Sequence, residues 1–246
     1  MSSAPSEGPP LRRVSLDRSR PGYDGDAWYL QVPAVAAVAR DGWDLPAGVT
    51  FLVGENGSGK STLVEAVAHA WQSRVGGTAP YWGPQPTADV SSLHRHLRLD
   101  APRPTPTGGF FLRAEAMHEY FAGISEGSLR AYGGSPLHTF SHGESFLAVL
   151  RARAAERGFY VFDEPEAALS FRSCLALVAL LDVLRSEGSQ ALVATHSPLL
   201  LALPGATIVE LGDWGLRVAV YDEAELVQDW RDFLPAPQRY LRHLLA

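Results

Sequence analysis

Residues 49–62 read VTFLVGENGSGKST, a stretch that leaves little choice of local structure. A short apolar run ends at a glycine, and the pattern G-x-x-x-x-G-K-[ST] follows at Gly54, Gly59, Lys60 and Ser61. Beyond it, STLVEAVAHAW (61–71) repeats apolar residues at helical spacing. This order, strand then glycine loop then helix, is the context in which the pattern cradles phosphate. Glycines allow successive backbone N–H groups to turn toward one point. The helix start adds partial positive charge there. The expected cradle is Gly54, Glu55, Asn56, Gly57, Ser58 and Gly59, continued by Lys60, Ser61 and Thr62, with the Ser61 hydroxyl placed to hold Mg²⁺. Lys60 is the only lysine among 21 basic residues, all the others being arginine. A compact ammonium on a flexible stem reaches β- and γ-phosphates through a narrow loop, and a planar guanidinium does not.

The rest of the chain fits a fold built around that loop. FYVFDE (159–164) reads as a buried strand ending in two carboxylates, and QALVATHSP (190–198) as another ending at Thr195 and His196. LALVALLDVLRSEG (175–188) reads as a helix stopped at Gly188, and TIVEL and GLRVAVY around GDW as a late hairpin. Short apolar strands alternating with helices predict an α/β fold with a largely parallel sheet. Residues 76–108 are rich in Gly, Pro, Thr and Ser and read as a surface excursion, with His94 and His96 on a solvated face. Residues 1–20 are expected to be unordered and 21–246 to form one domain.

The chemistry follows from where these residues stand. Asp163, at a strand end about 100 residues after the loop, is placed to hold Mg²⁺, usually through water. Glu164 beside it can orient or deprotonate an attacking water. Ligands of such sheets sit at the carboxyl ends of strands, so His196 is placed to meet a γ-phosphate or that water. FSHGES (140–145) precedes an expected helix over 143–157, and Ser141 and Gly143 at its start form a natural anion site. A net charge of −6 gives no support to a broad nucleic-acid face. One cysteine, Cys174, and a first segment without an apolar core point to a reducing cytoplasm. Neither of the longest apolar runs is long enough to span a bilayer, so work at a membrane requires another subunit.

GENGSGKST, FYVFDEPEAALS and ATHSP, in that order, resemble the ATP-binding-cassette (ABC) ATPases and their soluble chromosome-maintenance and repair relatives. The chain is most similar to compact bacterial ATPases of AAA/ABC type, from about residue 28 onward. The resemblance implies a P-loop NTPase fold with a parallel sheet flanked by helices. It adds a smaller antiparallel N-terminal β portion and a helical subdomain over 72–157. It implies ATP and Mg²⁺ as ligands, Asp163 as the metal-linked aspartate, Glu164 as the catalytic glutamate and His196 as the switch histidine. EAALS (166–170) stands where the family's D-loop would be, and Ser141, Gly143 and Glu144 where its signature would meet the partner's γ-phosphate. Two nucleotides would then be sandwiched in a homodimer. GFFLRAEA (109–116) offers Arg113 or Glu115 where the family carries a glutamine, and Tyr23, Trp28 and Tyr29 are the candidates to stack on adenine. No heptad-patterned insertion lies between Lys60 and Ser141, so coiled-coil arms are excluded. EPEAALS and SHGES favour a soluble ATPase driving a mechanical or regulatory cycle with an unidentified protein partner. The ATP-binding subunit of a membrane transporter, an ATP switch without turnover, and a repair or defence ATPase are the alternatives.

Overall fold

The computed structural model describes residues 8–75, 91–113 and 156–245, together with Leu147, Leu150 and Arg151. Six strands form the main sheet in the order β5 (Phe111–Arg113), β6 (Phe159–Asp163), β7 (Gln190–Ala194), β3 (Val49–Val53), β8 (Thr207–Gly212) and β9 (Gly215–Ala219). The first five run parallel and β9 returns antiparallel as a hairpin on β8. Every residue of β3, β6 and β7 is buried, as expected for parallel strands covered on both faces.

Alternation persists inside these apolar runs. Leu52, Phe159, Val161, Leu192 and Ala194 face one core, with α1 (Pro33–Asp41) and α2 (Lys60–Arg74). Phe51, Tyr160, Phe162, Ala191 and Val193 face the other, with the helix Phe171–Ser186. That helix starts at Ser170, whose hydroxyl caps the Ser173 N–H, and buries Cys174, Leu177, Leu181 and Leu184 at helical spacing.

A second sheet, β2 (Trp43–Asp44), β1 (Arg13–Leu16) and β4 (Leu97–Asp100), is antiparallel. It corrects two expectations. The chain joins the fold well before residue 21, because Leu11 and Val14 are fully buried and β1 pairs with β4 along its length. The piece LHRHLRLD is not a solvated excursion but α3 (Leu93–His96) running into β4. His96 is only 2% exposed, with its ring edge-on to Tyr23. Leu93, Leu97 and Leu99 supply the apolar side that a loop reading overlooked. The closing segment holds two helices, Glu225–Phe233 and Gln238–Leu244.

Gln190 joins the N-terminal segment to the sheet. Its amide nitrogen donates to the carbonyls of Leu11 at 2.9 Å and Pro46 at 2.7 Å, and its oxygen accepts the Leu11 N–H at 2.8 Å. Gln190→Leu leaves these buried backbone groups unpaired. It is expected to lower unfolding stability by about 3 kcal/mol, read as a shift of the urea midpoint at constant slope.

Candidate active site

The carboxyl ends of β3, β6 and β7 lie side by side, and each delivers one part of the site. From β3 the chain enters the phosphate loop through three glycines in the left-handed range, Gly54 (φ 151°), Gly57 (φ 83°) and Gly59 (φ 96°). At Gly59 glycine is needed twice over, because a Cβ there would lie 2.3 Å from the Val32 Cγ1. Lys60 opens α2 at only 4% exposure, and its Nζ donates to the carbonyls of Gly54 at 2.8 Å and Glu55 at 3.0 Å. Burial pulls the Lys60 ammonium below the usual lysine range, while the carboxylates of Glu164, Asp163 and Glu166 act against that fall.

From β6 come Asp163 and Glu164. Asp163 Oδ1 accepts the Ser61 hydroxyl at 3.1 Å, and Oδ2 accepts Arg113 Nε at 3.2 Å. Burial raises the Asp163 carboxyl above its ordinary value, against the pull of Arg113 and the Ser61 bond. Arg113 also reaches Glu65 with Nη2 at 3.1 Å, so one guanidinium spans two carboxylates. Glu164 is the only non-glycine with positive φ among the described residues (50°). Its N–H donates to the Ala194 carbonyl, holding a conformation that costs about 1–3 kcal/mol. That bend turns its carboxylate away from the strand line, 3.5 Å from His196 Nε2.

From β7 comes His196, and Glu166 positions it. Glu166 Oε1 accepts both the Thr195 hydroxyl at 2.7 Å and the His196 N–H at 2.6 Å. The structure therefore brings together Lys60, Ser61, Asp163, Glu164 and His196. Ser141, Gly143 and Glu144, and with them most of the subdomain over 72–157, lie outside the described residues. Glu65 was missed by sequence reasoning, and Glu166 was named only as part of EAALS (166–170), without its bonds to Thr195 and His196. Glu65 follows Ser61 at i+4 on the same helix face, a spacing legible beforehand, whereas the bonds of Glu166 depend on a partner strand. No helix of the described residues is long and apolar enough to cross a membrane.

The donor set suits Mg²⁺. A hydroxyl and a carboxylate, both hard oxygens, converge at 3.1 Å beside the phosphate cradle. Glu164 and His196 lie 3.5 Å apart, just past the ends of the neighbouring strands β6 and β7.

The "Cytochrome c biogenesis ATP-binding export protein CcmA" of Rhodospirillum rubrum is 33% identical over 182 residues, 68% of this chain and 75% of that protein. The chain belongs to the ABC ATPases. The CcmA of Paracoccus denitrificans is 30% identical over 72% of this chain and 86% of its own length. The "Ribose import ATP-binding protein RbsA" of Roseobacter denitrificans is 28% identical, and the match spans 40% of that longer protein. A family model described as "AAA domain, putative AbiEii toxin, Type IV TA system" matches residues 119–202. As an ABC ATPase the chain is an ATP hydrolase of α/β fold. The relatives' names favour the transporter alternative over the soluble reading drawn from EPEAALS and SHGES.

Proposed function

We propose that this chain is the ATP-binding subunit of a membrane transporter, hydrolysing Mg·ATP between two copies of itself. One observation carries the reading: a strand-end constellation of Lys60, Ser61, Asp163, Glu164 and His196, in a chain similar to export and import ATP-binding proteins. The triphosphate lies along the loop amides, and Lys60 exchanges its two loop carbonyls for phosphate oxygens. Ser61 and Asp163 would hold Mg²⁺, which neutralises charge on the β- and γ-oxygens. Glu164 takes a proton from the water that attacks the γ-phosphorus as the bond to the β,γ-bridging oxygen breaks. His196 hydrogen-bonds the γ-phosphate, with its backbone fixed by Glu166. Ser141, Gly143 and Glu144 of a second copy close the site. The membrane partner provides the span that the described residues lack.

Arg113 sets the metal requirement. It occupies Asp163 Oδ2 as a cation, so metal binding competes with a guanidinium. Arg113→Gln is expected to reduce the Mg²⁺ needed for half-maximal ATP binding by about tenfold, read by calorimetric titration. An unchanged requirement would remove Arg113 from this role.

The transporter reading is tested in detergent extracts of the source organism. Tagged Glu164→Gln, loaded with Mg·ATP, should copurify with one integral membrane protein in fixed ratio, and Lys60→Ala should not. The second reading is a soluble ATPase cycling between monomer and dimer, and the AAA-domain family model, whose description names no transporter, is compatible with it. Dimerisation on ATP with no membrane protein recovered from any extract would select it.

A further inference from the structure

We propose that the arginine-lined cavity between the end of α2 and the outer edge of β4 binds a compact anion carrying several phosphates. The site is separate from the ATP-binding reading above. In the three-stranded sheet β4 pairs with β1 on one side only. Along its other edge lies Arg74, in the last turn of α2, which donates to the carbonyls of Leu99 at 3.3 Å and Ala101 at 3.4 Å. Lys60 opens the same fifteen-residue helix. The two ends of α2 lie about 20 Å apart, which keeps this cavity away from the phosphate loop.

The cavity encloses about 770 Å³, a volume in the range of small-ligand sites. Arg20 enters it from beyond β1, Arg74 from α2, Arg95 from α3, Arg98 from β4 and Arg103 from just past β4. Alternation along LRLD explains Arg98, since Leu97 and Leu99 are buried and Arg98 and Asp100 are turned out. Only Asp17 and Asp100 oppose the five arginines, a formal surplus of 5 − 2 = 3 positive charges. The whole chain carries −6, so this surplus runs against its overall balance. Pairing does not cancel it. Arg20 Nε faces Asp17 Oδ2 at 3.7 Å, and its Nη1 donates to the Arg95 carbonyl at 2.8 Å. Arg74 holds neutral carbonyls with two of its five N–H groups. The side chains of Arg95, Arg98 and Arg103 make no hydrogen bond or ion pair with another described residue.

Shape and charge together choose the ligand. A planar guanidinium fork meets two phosphate oxygens at once, and three uncommitted forks around one space suit several phosphates held close together. A phosphate group brings up to two charges on three oxygens, so it answers this surplus in less volume than carboxylates do. A nucleic-acid strand fits less well. No Phe, Tyr or Trp lines the cavity, so bases find no ring to stack on. A long strand would also run past the arginines onto a chain of net negative charge.

The test takes the phosphate loop out of play. Inorganic tripolyphosphate is titrated calorimetrically into the full chain carrying Lys60→Ala, alone and combined with Arg98→Gln/Arg103→Gln. The added pair should weaken binding about tenfold or more, and either single change about threefold. Arg40→Gln/Arg239→Gln removes the same charge from exposed positions outside the cavity and should leave the affinity within about twofold. An unchanged urea midpoint certifies that each variant is folded. Absence of binding in Lys60→Ala overturns the site, as does an equal loss in the two double variants. Citrate binding as tightly as tripolyphosphate would overturn the preference for phosphate. Oligothymidylate binding more tightly would make the cavity part of a nucleic-acid surface and overturn the compact anion.

Discussion

Replacing Glu164 with glutamine will lower kcat by about 10²–10⁴-fold while ATP still binds. The left-handed backbone at φ 50° aims this carboxylate away from the strand and toward His196 Nε2 at 3.5 Å. Glutamine keeps the shape and the backbone bond to Ala194 but cannot accept the water's proton. Bound ATP is then expected to persist, and with it the proposed sandwich of two copies. Light scattering after size exclusion should report a doubled mass with Mg·ATP and the single mass without it. Ser141→Arg in the same background should abolish the doubling. Turnover within about threefold of wild type would remove Glu164 from the chemistry.

The second large effect is at Lys60. Lys60→Ala is expected to weaken Mg·ATP binding by about 100-fold or more, measured by calorimetry. Lys60→Arg should fare little better. Lysine reaches the Gly54 and Glu55 carbonyls at 2.8 and 3.0 Å from a side chain 96% shielded from solvent, the complement of its 4% exposure. A guanidinium is broader and planar and does not fit that space without displacing the loop. Near-normal ATP affinity in Lys60→Arg would mean that charge alone, and not shape, matters at this position. The use of a single lysine in an arginine-rich chain would then lack its physical reason.

The local structure of the site was legible because it rests on fixed backbone demands. GENGSGKST specifies its own turn and helix start, and FYVFDE and QALVATHSP announce buried strands by unbroken apolar runs. The parts that escaped depend on long-range pairing. LRLD reads as loop until β1 is known to lie beside it, and β1 itself is only four residues long. His96 reads as solvated until that sheet buries it. Arg113 was named as one of two candidates, but its double hold on Asp163 and Glu65 joins three separate elements.

The strand order sets when this chain can fold as it leaves the ribosome. Val49 of β3 pairs with Ala191, a separation of 191 − 49 = 142 residues, and Thr50 pairs with Thr207 farther still. At synthesis rates of about 5–20 residues per second, VTFLV waits on the order of ten seconds for its neighbours. During that interval a β-prone apolar segment has no sheet to enter and is open to pairing with other nascent chains. Residues 1–189 alone therefore lack the central pairing, and a chain truncated before β7 will aggregate although its phosphate loop and α2 are complete.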